Sequence, residues 1–213
     1  MTAEATAGGS PVDAPAFWEA LYARGADRWE LGRPAPPLVA YFATHPRPPG
    51  RDVLVPGCGR GHDARFLAGR GYRVRGVDFA GSAIREARRL AGAPAGVELA
   101  FEQRDVFGLA ADARAAFDGV WEYTSFCAID PARRAEYVRL LRAVLRDGGW
   151  LLACFFPVRE GSGGPPFPAT RAEIERLFAP HFAFVESLVP EASVAPRRGQ
   201  EWLVMAQPRA GAS

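Results

Sequence analysis

The residues best placed to do chemistry lie in VLVPGCGRGHD, positions 53–63, where an apolar run meets glycines at 57, 59 and 61 and then a helix start. Glycines at this spacing let a backbone approach a ligand closely and leave helix N-terminal amides free to receive an anionic group. The next apolar run ends in Asp78, about 20 residues on, as expected for an acid that accepts both hydroxyls of a ribose. Asp105, in QRDVF after a third run, can hydrogen-bond the amino group of an adenine. A dinucleotide site would use the same architecture, but the third glycine of GxGxxG falls on His62. GxGxG suits a cofactor with a carboxylate rather than a pyrophosphate. A carboxylate, a ribose and an adenine together describe S-adenosylmethionine.

The surrounding elements must present these residues at successive strand ends, where ligands of doubly wound sheets bind. Apolar runs of strand length alternate with helical patterns: Val53 to Pro56, Ala64 to Ala68, Val74 to Asp78, Ala83 to Ala91, and Val97 to Phe101. That alternation predicts βαβ units and a parallel sheet. A fourth strand is expected over Phe117 to Trp121 and a fifth over Trp150 to Phe156, whose unbroken LLACFF reads as buried on both faces. Between them a helix should run from Pro131 to Arg146, capped by Asp130 and ended by Gly148. Thr170 can cap a further helix through Phe178, and Phe182 to Leu188 and Trp202 to Ala206 read as final strands. The expected fold class is α/β, a doubly wound sheet of about seven strands with helices on both faces.

Residues 1–16 are small, polar and aperiodic and read as a flexible tail, leaving 17–213 as one domain. Phe17 to Tyr22 suits a short helix. Pro34, Pro36 and Pro37 then predict an extended segment exposing Trp29 and Leu31.

Composition narrows the function classes. The 213 residues carry 26 Lys plus Arg against 24 Asp plus Glu, a net charge of +2, too weak and dispersed for a nucleic-acid footprint. No run of 18 apolar residues occurs, and the N-terminal stretch lacks an apolar core, so neither a membrane span nor a secretory signal is expected and the cytoplasm is the expected location. Cys58, Cys127 and Cys154 are odd in number and far apart, which predicts reduced thiols and neither a disulfide framework nor a metal site. The chain has no lysine and no asparagine, a bias that fits a GC-rich, bacterial genome and removes Schiff-base and P-loop lysine chemistry.

RWELGRPAPPL, LVPGCGRGHD, VDFAGSAI, EYTSFCAIDPARRAEY, GGPPFP and RRGQE resemble the thiopurine S-methyltransferase family, most of all its plant and microbial halide and thiol methyltransferase branch. The resemblance runs from about Phe17 to Gln207. It implies a Rossmann-like class I methyltransferase fold and assigns roles by position. Trp18, Tyr22 and Trp29 match an aromatic lead-in that covers the sulfonium part of the cofactor. Tyr22 stands where tryptophan is more usual. Gly57 matches the loop position facing the methionine tail, Asp78 the ribose acid, and Asp105 with Val106 the adenine pocket. Tyr123 matches a tyrosine beside the transferring methyl, Arg134 an arginine near the acceptor, and Phe167 a position that is often tyrosine. Arg60 stands where glycine is common.

The implied activity is in-line transfer of a methyl to a small soft nucleophile, a thiol, thiocyanate, bisulfide or halide, with no metal, no nucleic acid and no membrane. The expected state is a monomer or weak homo-oligomer. Such acceptors need little or no deprotonation, so Tyr123 and Arg134 are expected to orient and attract the acceptor rather than act as bases. A larger aromatic or natural-product acceptor, and a non-catalytic S-adenosylmethionine-binding module, are the alternatives. Glu122, just after the fourth strand, has no assigned role.

Overall fold

The computed structural model describes residues 10–90, 92 and 96–211. Strands β1 (Asp52–Pro56), β2 (Arg73–Asp78), β3 (Leu99–Gln103), β4 (Phe117–Tyr123), β5 (Leu145–Phe155), β6 (Phe182–Leu188) and β7 (Trp202–Pro208) form one sheet in the order β3-β2-β1-β4-β5-β7-β6. The first five are parallel to one another, and β7 runs antiparallel between β5 and β6. The helices are α1 (Pro15–Ala23), α2 (Pro36–Thr44), α3 (His62–Gly69), α4 (Gly81–Arg89), α5 (Arg134–Val144) and α6 (Arg171–Phe178).

Alternation along the strands divides the core into two layers. Leu151, Ala153 and Phe155 of β5 enter the layer beneath α5 and α6, while Leu152 and Cys154 enter the layer beneath α2, α3 and α4. Val53 and Val55 likewise point one way and Leu54 the other. Each fully buried aliphatic side chain of this kind contributes roughly 1.5–3 kcal/mol. The doubly wound seven-stranded sheet expected from the alternating pattern is therefore present, with Leu151 to Phe155 buried on both faces and Phe156, just past the strand, partly exposed.

Four local expectations change. Pro36 and Pro37 do not hold the chain extended; they occupy the first turn of α2, where a missing N–H costs nothing and the fixed φ suits the helix. The boundary of the expected tail also moves. Residues 1–9 lie outside the described residues, but Pro11–Asp13 form a 3-10 turn with Val12 buried, and α1 begins at Pro15. The helix expected to end at Gly148 ends at Val144. Gly148, at φ +76°, instead lies in a bulge of β5, where Leu145 pairs with Phe117 and Trp150 with Gly119. Finally, α4 ends at Arg89 with Leu90 as its C-cap, and Ala91, where the helix was expected to end, lies outside the described residues. No helix among the described residues is long and apolar enough to cross a membrane.

Candidate cofactor and acceptor site

A cavity of about 520 Å³ opens at the C-terminal ends of β1, β2 and β4. Seven residues expected at the site line it: Trp18, Tyr22 and Trp29 from the lead-in, Gly57 from the glycine loop, and Asp78, Asp105 and Val106 from successive strand ends.

The glycine loop is closed on itself. Gly57, Gly59 and Gly61 all have φ between +52° and +76°, a region that L side chains enter at a cost of about 1–2 kcal/mol. A Cβ at Gly57 would overlap the Ser125 Oγ, so the loop can lie against the turn after β4 only as glycine. Several amides expected to await an anion are already used: Cys58 N–H donates to the Val77 carbonyl, Gly61 N–H to the Cys58 carbonyl, and Gly59 N–H to Asp78 Oδ2 at 2.8 Å. Asp78 also accepts Ala80 N–H through Oδ1 at 2.9 Å. Burial raises its pKa even though these amide bonds favour the carboxylate. Each oxygen has acceptor capacity beyond its one amide bond, enough for a pair of hydroxyls. Asp105 is exposed and caps the following 3-10 turn, accepting Phe107 N–H at 3.0 Å.

The lead-in forms an aromatic wall. Trp18 and Trp29 meet edge-on at 5.5 Å, and Tyr22 and Trp29 at 5.4 Å. Trp29 Nε1 donates to the Tyr22 hydroxyl, and Trp18 Nε1 to the Val12 carbonyl. Polar links hold this wall over the sheet. Asp13 pairs with Arg133 at 3.0 Å, Glu19 accepts Ser82 N–H, and Arg60 reaches Asp27 at 2.6 Å and Glu30 at 3.3 Å. Arg60, in a position where the family commonly has glycine, thus ties the glycine loop to the lead-in. Asp63, half-buried and with its pKa raised by desolvation, accepts Ala35 N–H and Trp121 Nε1–H, both at 2.7 Å.

The opposite wall contains residues that the sequence reading missed. Arg197 is 5% exposed and lines the cavity, donating to the Tyr123 hydroxyl at 2.6 Å and the Trp29 carbonyl at 3.1 Å. The Tyr123 hydroxyl in turn donates to Glu201 Oε1 at 2.6 Å. Burial, reinforced by Glu201, pushes the Tyr123 pKa well above its ordinary value, so the phenol stays neutral and relays between cation and carboxylate. RRGQE was visible as a motif, but joining positions 197 and 201 to position 123 requires β7 to lie beside β5, a pairing between distant segments.

Tyr123, Arg134 and Phe167 do not line the cavity. Tyr123 lies behind Arg197. Arg134, 1% exposed, needs compensation where it sits in the first turn of α5. It finds this in Glu173 at 2.8 Å and in the Phe167 and Pro168 carbonyls. Phe167 N–H donates to the Cys127 carbonyl, and its neighbours Pro165 and Pro166, rather than its own side chain, reach the cavity. Arg134 and Phe167 thus lie behind the Pro165–Pro166 wall of the cavity, joined to each other through the Phe167 carbonyl.

The arrangement fits an adenosyl cofactor: a glycine cradle that a Cβ would fill, a half-buried acid with lone pairs to spare, and an aromatic wall. The profile of the thiopurine S-methyltransferase family matches residues 13–208. The chain belongs to this family. As a member of the thiopurine S-methyltransferase family it is an S-adenosylmethionine-dependent methyltransferase. It is 34% identical over 188 residues to a probable thiol methyltransferase 2 of Arabidopsis thaliana, covering 87% of this chain and 82% of the relative. It is 31% identical over 176 residues to a thiopurine S-methyltransferase of Pseudomonas putida, covering 77% and 82%. Among solved structures, 1,6-didemethyltoxoflavin-N1-methyltransferase of Burkholderia thailandensis, with S-adenosylhomocysteine bound, superposes with a TM-score of 0.69 at 26% identity over 96% of this chain and 92% of that one. The magnesium protoporphyrin IX methyltransferase of Synechocystis, with S-adenosylmethionine bound, shares the fold at a TM-score of 0.71 and 18% identity, covering 96% and 100%.

Proposed function

We propose that this methyltransferase acts on a small soft nucleophile, a thiol, thiocyanate, bisulfide or halide. The observation that carries this reading is Arg197: a buried cation facing the cavity, held by a neutral hydroxyl and a carbonyl, with its carboxylate Glu201 set back behind Tyr123. A cation so placed favours an anion at the cavity wall, and the low local dielectric strengthens that preference. No histidine lines the cavity among the described residues, and its carboxylates, Asp13, Asp78 and Asp105, lie on the glycine-loop and lead-in side. An acceptor that is already an anion, or a thiol that ionises readily, needs no base.

When bound, S-adenosylmethionine supplies an electrophilic methyl on a sulfonium. The chain's own residues do the rest. Trp18, Tyr22 and Trp29 present aromatic faces to the cation, each worth roughly 0.5–2 kcal/mol, and exclude water. Gly57 admits the methionine tail, Asp78 holds the ribose, and Asp105 with Val106 borders the adenine. Tyr123 acts through Arg197, orienting the cation toward the acceptor. Arg134 and the Phe167 backbone hold the Pro165–Pro166 wall. A bacterial cytoplasm as the place of action and a monomer or weak homo-oligomer complete the reading, supported by the three free cysteines and the lysine-free composition.

The test is a competition assay: enzyme, S-adenosylmethionine, and a mixture of iodide, thiocyanate, bisulfide, an aromatic thiol and a phenol, with each methylated product and S-adenosylhomocysteine quantified by mass spectrometry. Methylation of the acidic soft nucleophiles with the phenol untouched is expected. Preferential phenol methylation, or adenosylhomocysteine at background, would overturn the reading.

A further inference from the structure

Glu122 is the penultimate residue of β4, two residues before the cavity-lining Thr124, and is fully buried. Its Oε1 accepts Phe126 N–H, and its Oε2 has no partner. The turn it grips, Thr124 to Cys127, is under tension. Thr124 has φ +66°, a conformation that a β-branched residue rarely adopts, and Ser125 Oγ donates to the Pro56 carbonyl at 2.8 Å while pressing on Gly57. Thr124, Ser125 and Cys127 all line the cavity.

The groups around Glu122 offer no counter-charge. Tyr137 on α5 is fully buried and its hydroxyl also lacks a partner. Cys127 on the turn and Cys154 on β5 are buried thiols whose pKa values burial pushes upward, so neither carries charge. The two nearby cations are committed elsewhere, Arg134 to Glu173 and two carbonyls, Arg197 to Tyr123 and Trp29. A bare carboxylate in such a place is expensive, whereas a carboxylic acid keeps one oxygen as acceptor and removes the charge.

We propose that Glu122 is the positioning residue of the acceptor wall and works as the neutral acid: Oε1 holds the strained Thr124–Cys127 turn through the Phe126 amide, and a proton on Oε2 keeps charge out of the core beneath it. Burial, opposed only by backbone amides, raises its pKa from 4.5 to about 8, so the neutral form persists through the physiological range. Ionisation on the alkaline side puts an uncompensated charge under the turn and loosens the wall against which the acceptor rests.

The kinetic arm of the test rests on the proposed activity, and two other arms do not. With thiocyanate as acceptor, an anion throughout the range, wild-type kcat/KM should fall about tenfold per pH unit above the Glu122 midpoint. Glu122→Gln, whose amide keeps the acceptor oxygen, should match wild type at neutral pH and lose that alkaline limb. Glu122→Ala should raise KM at every pH. In wild-type protein labelled with carbon-13 glutamate, one side-chain carboxyl, assigned by through-bond correlation to residue 122, should titrate near pH 8. A carboxyl whose folded pKa is raised stabilises the fold below its unfolded value and loses that contribution as pH rises through the folded one. The wild-type melting temperature should therefore fall relative to Glu122→Gln between pH 4.5 and about 8. No glutamate titrating above pH 7, or an alkaline limb unchanged in Glu122→Gln, overturns the proposal. If wild type methylates no thiocyanate at any pH, the functional reading fails, and the titration and melting curves still decide the role of Glu122.

Discussion

Gly57→Ala is the substitution whose consequence the structure specifies most closely. The new Cβ would overlap Ser125 Oγ and sit 3.2 Å from Ser125 Cβ, at a residue with φ +57°. The left-handed backbone costs about 1–2 kcal/mol and the overlap another 1–3 kcal/mol. A total of about 2–5 kcal/mol lowers the melting temperature of a chain this size by roughly 5–15 °C. Ser125→Ala alone removes the bond to the Pro56 carbonyl and should cost about 1 kcal/mol. In the double variant the worst overlap is gone and only a tight Cβ–Cβ contact remains. The two effects should therefore fail to add, with a coupling of about 1–3 kcal/mol in the stabilising direction. Urea unfolding of the four proteins measures this without reference to any substrate. Additive effects, or a Gly57→Ala shift below about 1 °C, would refute the claim that the glycine loop is set by its contact with the turn after β4.

Other outcomes follow from the polar links. Arg197→Met should lower kcat/KM for thiocyanate about a hundredfold, since a unit charge at about 5 Å is worth about 3 kcal/mol at an effective dielectric of about 20. A neutral aromatic thiol assayed in parallel at low pH should lose less, and equal losses would remove the electrostatic role. Asp63→Ala leaves the Ala35 amide and the Trp121 indole N–H unpaired and should cost about 2–4 kcal/mol in urea unfolding, with Asp63→Asn intermediate. Arg60→Gly should destabilise the fold by less than about 1 kcal/mol, yet speed proteolytic cleavage in residues 24–34 at low salt. High salt should make wild type and variant alike.

The sheet was legible because it is written in local terms. Short apolar runs, glycine punctuation and the doubly apolar LLACFF each specify a strand without knowledge of its partner, and the glycine loop with Asp78 and Asp105 follows from where those strands end. What escaped notice was set by distance along the chain. Arg197, Tyr123 and Glu201 converge only when β7 takes its place beside β5. The placement of Arg134 turned on which face of α5 is buried, and an arginine among many arginines does not announce that. The prolines at 36 and 37 illustrate a different limit: the same residue stops a helix from one side and starts it from the other, and only the packing of Leu38, Tyr41 and Phe42 into the core decides between the two.

The order of the strands also carries a consequence for biosynthesis. β7 follows every other strand in the chain, yet it lies between β5 and β6 and is the only strand that β6 pairs with. On the ribosome, β1 to β5 can assemble as they emerge, but β6 then has no neighbour and the β5 edge stays open until β7 arrives. Arg197 and Glu201 emerge just before it. The cavity wall is therefore completed in the same late event that seals the sheet, so a nascent chain halted before β7 leaves the edges of β5 and β6 unpaired, a template for aggregation, and carries Arg197 without the strand that sets it beside Tyr123.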